Sequence, residues 1–281
     1  MQNQTLTQVG LAAAVLGAAT VAEAKTKKPA GPKAPVFQYK GAPDPAALDK
    51  AFETLKTFTW GEDPKQFHDM LGAIEDAVPA SYGNTDARKD LETRLAEVLP
   101  TKAPRAAKDY ACRKLTIIGT AASVPALAAL LPEKELSHMA RYALERISTP
   151  EAAQALREAL SKTSGTEKAG VVGSLGARRD VASIADLAAL LGDSDPLVAL
   201  AAATALGDIG TAESAKALKD AKPAAETVKM RMADARLTAA ERLLAAGDHA
   251  AAKAVYTSLL ACPVKSIKLA ATRGLLLASG K

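Results

Sequence analysis

The sequence predicts an all-α fold, an α-solenoid of about seven stacked antiparallel helix pairs. Three observations predict it. Four segments align from residue 104 onward: Ala111-Cys-Arg-Lys-Leu115, Ala140-Arg-Tyr-Ala-Leu144, Val171-Val-Gly-Ser-Leu175 and Ala202-Ala-Thr-Ala-Leu206, with leucines 29, 31 and 31 residues apart. A second column, Leu127, Leu156, Leu187 and Leu218, keeps the same spacings of 29, 31 and 31. A fixed period in this range means that each unit cannot bury its apolar face alone and must stack on its neighbours. Hydrophobic residues make up 48% of the chain and aromatic ones only 4%, so the apolar surface is chiefly Ala, Leu, Val and Ile. Ala and Leu head the helix propensity scale, and little of the chain alternates as a strand would.

Taken in order, residues 1–24 hold a short apolar run, Leu11 to Ala22, followed by Ala22-Glu23-Ala24, which fits small-residue cleavage before Lys25. The run is too short to span a membrane. Export or a periplasmic location is the expectation from this leader-like stretch and the spacer behind it. The uncharged segment ahead of it, MQNQTLTQVG, keeps a cytoplasmic protein with an N-terminal arm as the alternative. Residues 25–45 carry five prolines and read as a Lys/Pro-rich linker. The solenoid is expected over 46–280, opening with helices at 46–58, 64–79, 86–99 and 104–119. Regular units then pair 122–131 with 136–147, 150–160 with 166–176, 181–191 with 196–209, and 212–220 with 224–246; the last pair is 249–261 with 264–279. Asp44-Pro45, Asp63-Pro64, Thr149-Pro150, Asp195-Pro196 and Lys222-Pro223 mark starts. Gly119, Gly176, Gly210 and Gly247 mark ends. Seven of the ten aromatic residues precede residue 83, so the N-terminal end is built differently from the repeats.

The net charge of +5 lies in residues 25–40: Lys25, Lys27, Lys28, Lys33 and Lys40 stand there without an acid, and with Glu23 the one charge before them, residues 41–281 are left at +1. A near-neutral body argues against a nucleic-acid groove, which needs Lys and Arg gathered on one face. Cys112 and Cys262 are 150 residues apart in different units, too far for a bridge in an extended array, and read as buried small hydrophobes.

Val124-Pro-Ala-Leu-Ala-Ala-Leu-Leu131, Ser137-His-Met-Ala-Arg-Tyr-Ala-Leu144 and Ala202-Ala-Thr-Ala-Leu-Gly-Asp-Ile-Gly210 resemble HEAT repeats, including the bacterial HEAT-like type. The resemblance covers about 104–221 well and the flanks loosely; Gly247-Asp-His-Ala-Ala-Ala-Lys-Ala-Val-Tyr256 has a tetratricopeptide character. It implies a right-handed superhelix of HEAT/armadillo type and a binding scaffold. It transfers no catalytic residue.

One column departs from the pattern. One turn after the leucines stand Ile118, Ile147 and Ile209, but the 150–176 unit has Arg178 there. Either Gly176 ends the helix early, with Arg178 and Arg179 on an exposed turn and Asp180 capping the next helix, or these arginines contact a carboxylate or phosphate on a partner, joined by Arg113 and Arg141. Trp60, beside Phe58, is either a partner anchor or the packing between the N-terminal hairpins.

No catalytic, cofactor or metal constellation is read. His68, His138 and His249 stand far apart without ligand spacing, no GxSxG occurs, and Ser137-His138 point about 100° apart on one helix. The expected function is a noncatalytic scaffold, monomeric, binding a protein partner. The alternative is enzymatic, by resemblance alone: some HEAT-like proteins are bilin lyases and others are DNA glycosylases, the latter disfavoured by neutral, aromatic-poor repeats.

Overall fold

The structure, a computed structural model, describes residues 41–61 and 64–280, with residues 64–67 by their backbone alone. The leader-like segment 1–24 and the linker as far as residue 40 lie outside the described residues.

Fourteen α-helices and no strand occur among the described residues. They are α1 (Pro45–Leu55), α2 (Pro64–Ala80), α3 (Thr85–Val98), α4 (Arg105–Ile118), α5 (Val124–Ala128), α6 (Ser137–Arg146) and α7 (Pro150–Ala159). Then follow α8 (Gly165–Ala177), α9 (Ile184–Ala189), α10 (Pro196–Ile209), α11 (Ala212–Asp220), α12 (Glu226–Ala245), α13 (His249–Leu259) and α14 (Lys265–Ala278). Successive helices pair as hairpins, and the second helices stack in series, α4 on α6, then α8, α10, α12 and α14. This is an α-solenoid.

The two leucine columns form its seam. Leu115, Leu144, Leu175, Leu206, Leu127, Leu156 and Leu187 are completely buried, as are Ala111, Ala140, Val171 and Ala202 one turn before the first column. Each buried leucine contributes about 1.5–3 kcal/mol of apolar transfer, and part of that depends on the neighbouring layer.

Capping follows the local chemistry. Asp44 accepts from the Ala47 amide at 3.2 Å and Asp195 from the Leu197 amide at 2.9 Å, each ahead of a proline at the first helical position. Thr149 forms no side-chain cap, and Pro223 lies ahead of α12, which starts only at Glu226. Gly210 and Gly247 end α10 and α12 in the left-handed conformation, with φ of 67° and 83°. Gly176 is no stop: it lies inside α8, buried, and the left-handed residue that ends this helix is Arg179, at φ 52°. The Asp180 amide bonds the Leu175 carbonyl and the Arg179 amide the Gly176 carbonyl, a Schellman closure. An L side chain in this conformation costs about 1–2 kcal/mol.

The short first helices α5 and α9 have a cause that the leucine pattern does not carry. Each begins in a tight turn, Thr120-Ala-Ala-Ser123 or Asp180-Val-Ala-Ser183, whose buried serine hydroxyl donates back to the carbonyl three residues earlier, at 3.1 and 2.7 Å. Ser214 repeats this on Thr211 at 3.0 Å, within a capping box. In the first of these turns the buried carboxylate of Glu92, from α3, accepts from the Thr120 amide at 2.6 Å and the Ser123 amide at 3.2 Å.

Among the described residues the apolar seam is interrupted once. One buried cluster runs from Ala51 to Ala235, and a second, from Ala240 to Ala278, holds the end of α12 with α13 and α14. The outermost helix leaves Leu269, Leu276 and Leu277 exposed. A terminal hairpin with its own small core opens at lower free energy than the array. Amide hydrogen exchange is therefore expected to be faster across 249–278 than across α8 and α10, and equal protection of the two regions would contradict the division.

Candidate functional site

Positions two before and two after a buried column leucine lie about 200° round the helix from it and so face outward. The first set is Arg113, Tyr142, Gly173 and Thr204; the second is Ile117, Arg146, Ala177 and Asp208. All are exposed except Asp208, which is half-buried. The outward face of the second helices thus falls into two parts. On α4 and α6 it carries Arg113, Ile117 at 57% exposure, Tyr142 and Arg146. The Arg146 guanidinium stands over the Tyr142 ring at 5.6 Å, a contact that stiffens both. On α8 and α10 the same positions are Gly173, Ala177 and Thr204, which are small, and Asp208, which is half-buried and paired with Arg242 at 2.8 Å.

The residues that the sequence pointed to are dispersed. Arg113 is on the outward face, paired with Asp109 at 3.1 Å one turn earlier. Trp60 is 52% exposed and sets its edge against Phe58 at 5.2 Å; Phe58, itself buried, meets Tyr110 of α4 at 6.3 Å, so this aromatic chain ties the N-terminal hairpin to the array. Arg179 is exposed and borders an open cleft with Thr238, Glu241 and Arg242 of α12.

Arg141 and Arg178 turn inward, contrary to the expectation of a shared exposed ridge. Arg141 donates to the Gly170 carbonyl of α8 at 3.1 Å, and a Cβ on Gly170 would lie only 2.4 Å from the Arg141 guanidinium carbon. Arg178 reaches back one layer and caps the C-terminus of α6. It donates to the carbonyls of Leu144 at 2.6 Å, Glu145 at 3.2 Å and Ile147, and to Thr149 at 3.2 Å. Asp180 does not cap the next helix through its side chain; both its oxygens accept from Arg157 at 2.8 Å. A guanidinium can replace the column isoleucine because a helix end in the preceding layer offers it several orphan acceptors.

The family model for HEAT repeats matches residues 160–235, from the end of α7 into α12. This segment consists of HEAT repeats. An engineered protein of known crystal structure is similar over 82% of this chain and 68% of its own, at 20% identity and a TM-score of 0.40. A second engineered protein is similar over 68% of this chain and 97% of its own, at 22% identity and a TM-score of 0.37. Human deoxyhypusine hydroxylase in complex with glycerol is similar over 83% of this chain and 96% of its own, at 14% identity and a TM-score of 0.30. No curated protein matches.

Within the HEAT segment the second helices approach closely through one small-residue column. Gly176 and Gly207, 31 residues apart, face Ala205 and Ala235 of the following layer. In the preceding layer this column holds Glu145, which accepts from the Ser174 hydroxyl at 2.6 Å. The array thus exchanges a small-residue contact for a polar one at the layer where Arg178 also acts.

The described residues hold no group of three His, Cys, Asp or Glu side chains placed to bind a metal ion. No described helix is long and apolar enough to cross a membrane. Both cysteines are free and buried. Burial, reinforced by Asp109, pushes the Cys112 thiol up to about 12; burial and the Glu75 carboxylate raise the Tyr110 phenol, which donates to Glu75 at 2.8 Å. These folded-state values exceed the unfolded ones, so their contribution is fully present below about pH 9 and is lost as pH rises towards 12. Denaturant midpoints measured across that window are expected to fall, and to fall less steeply in Cys112→Ala. An unchanged slope in the variant would remove Cys112 from the account.

Proposed function

We propose that this protein is a noncatalytic HEAT scaffold, monomeric, that docks a protein partner on the outward face of α4 and α6. The observation that carries the reading is the concentration of Arg113, Ile117, Tyr142 and Arg146 on two adjacent helices, beside the small residues Gly173, Ala177 and Thr204 on the next two, where the fourth equivalent position, Asp208, is half-buried. Tyr and Arg are over-represented among residues that dominate binding energy, and an exposed isoleucine beside them supplies desolvation. The small residues let a partner backbone lie close without steric conflict. Arg178 and Arg141 support the surface from inside by fixing α6 against α8, and the leader-like segment makes export the reading for location.

The test is capture from a lysate of the source cells by the full chain and by two variants. Tyr142→Ala/Arg146→Glu is expected to reduce recovery of the retained protein at least tenfold, about the cost of one buried aromatic or arginine anchor. Thr204→Ser, at one of the small positions, is expected to leave recovery unchanged. Equal recovery by both variants would remove the docking face from α4 and α6.

A further inference from the structure

The half-buried arginines of the array are neutralised or capped from within the protein, with one exception. Arg157 has Asp180, Arg242 has Asp208 at 2.8 Å, Arg94 has Asp49 at 2.9 Å, and Arg178 has its carbonyls. Arg236, in the middle of α12, has only the Ser258 hydroxyl of α13, which is itself anchored on the Val255 carbonyl at 2.6 Å. No carboxylate of the described residues reaches it; its buried Nε lacks an acceptor, as do those of Arg141, Arg178 and Arg242, so what sets Arg236 apart is the missing carboxylate or carbonyl partner. Burial lowers its pKa, as it does for Arg141 and Arg178.

Arg236 also stands between two clefts. One, about 320 Å³, lies between α11 and α13, with Lys216 and Lys219 at its edge and Ala251, Ala254 and Val255 along one wall. The other, about 450 Å³, runs beside the turn before α12, with Lys219, Lys222 and Lys229. The two share Arg236 and Lys219. Of the five cations in the two linings, Lys216 pairs with Asp220 at 2.6 Å and Lys229 with Glu226 at 3.1 Å, which leaves Arg236, Lys219 and Lys222 without an ion pair among the described residues. A half-buried guanidinium without a carboxylate, held in place by a serine and with the exposed Lys219 and Lys222 beside it, is an arrangement that accepts an oxyanion.

We propose that Arg236 is the centre of an oxyanion site for a phosphate monoester, with Lys219 and Lys222 closing over it. The excess of cations favours a dianion over a carboxylate, and a phosphate has enough acceptor oxygens to take Arg236 and both lysines at once. The apolar wall of the α11–α13 cleft would receive a short aliphatic body carrying the phosphate. The site is separate from the face proposed for docking and does not depend on it.

The test is titration of the full chain with inorganic phosphate at low ionic strength, read by calorimetry and by the Arg236 Nε–H resonance. Saturable binding that shifts this resonance is expected, weakened at least tenfold in Arg236→Met, the scale of one lost charge-assisted hydrogen bond. Lys219→Gln/Lys222→Gln, at exposed positions, is expected to weaken it by about two- to fivefold; this variant serves if Arg236→Met fails to fold. Acetate is expected to bind at least fivefold more weakly than phosphate. Separate titrations with glycerol 3-phosphate and with a phosphoserine peptide distinguish a free ester from a phosphorylated protein by which binds more tightly. No saturation below 50 mM phosphate, an unmoved Arg236 resonance, or acetate binding equal to phosphate would overturn the proposal.

Discussion

Replacing Gly176 or Gly207 by alanine is expected to destabilise the protein by about 1–3 kcal/mol, whereas Gly173→Ala in the same helix as Gly176 is expected to stabilise it by about 0.5–1 kcal/mol. Alanine outranks glycine inside a helix, so the default expectation for all three is a gain. The surroundings reverse the sign at two of them. A Cβ on Gly176 would stand 2.7 Å from the Ala205 Cα, and one on Gly207 would stand 2.8 Å from the Ala235 carbonyl oxygen. These are backbone atoms of the next helix, which cannot rotate aside; relief requires the layers to part. A Cβ on Gly173 meets nothing within 4 Å. Denaturant unfolding of the three variants checks the argument, because stabilisation by Gly176→Ala would mean that the layers are not in contact there.

Arg178→Ile restores the residue type that the column carries in the other units, and it is expected to cost about 2–3 kcal/mol. The substitution adds apolar burial, but it removes donors from the carbonyls of Leu144, Glu145, Ile147 and Thr149 at once. Leaving buried acceptors unpaired costs about 1–3 kcal/mol for each that water cannot reach, against roughly 1 kcal/mol for the better fit of an isoleucine. Arg178→Lys is expected to fall between the two, since an ammonium cannot span the acceptors that a planar guanidinium reaches. An Arg178→Ile variant as stable as the parent, measured by chemical denaturation, would show that the α6 terminus is solvated without it.

The helices and their columns were legible because burial repeats with the chain. Leu115, Leu144, Leu175 and Leu206 each meet the same neighbour types, so a spacing read along the sequence is a spacing in the stack. Gly176 was misread as a stop because a glycine late in a helix, followed by Ala-Arg-Arg-Asp, has the composition of a C-cap. The signal that separates the two was present: Gly207 lies 31 residues on in the same column, also before the end of its helix. Arg178 and Arg141 could not be placed from their own segment, because their acceptors belong to neighbouring layers and are backbone carbonyls, which leave no mark on residue type. Of the proposed docking face, Arg113 is among the contacts expected from the sequence. Tyr142, Ile117 and Arg146 carry no such mark, because the outward positions two residues either side of the leucines change residue type from layer to layer and form no column in the sequence.

The measurement that tests the docking account most directly is site-specific photo-crosslinking in the source cells, with a photoreactive phenylalanine analogue at position 142 or at the exposed position 154 of α7. The account predicts an adduct with a second protein from position 142 and none from 154. Adducts of equal yield from both positions, or none from 142, would contradict it.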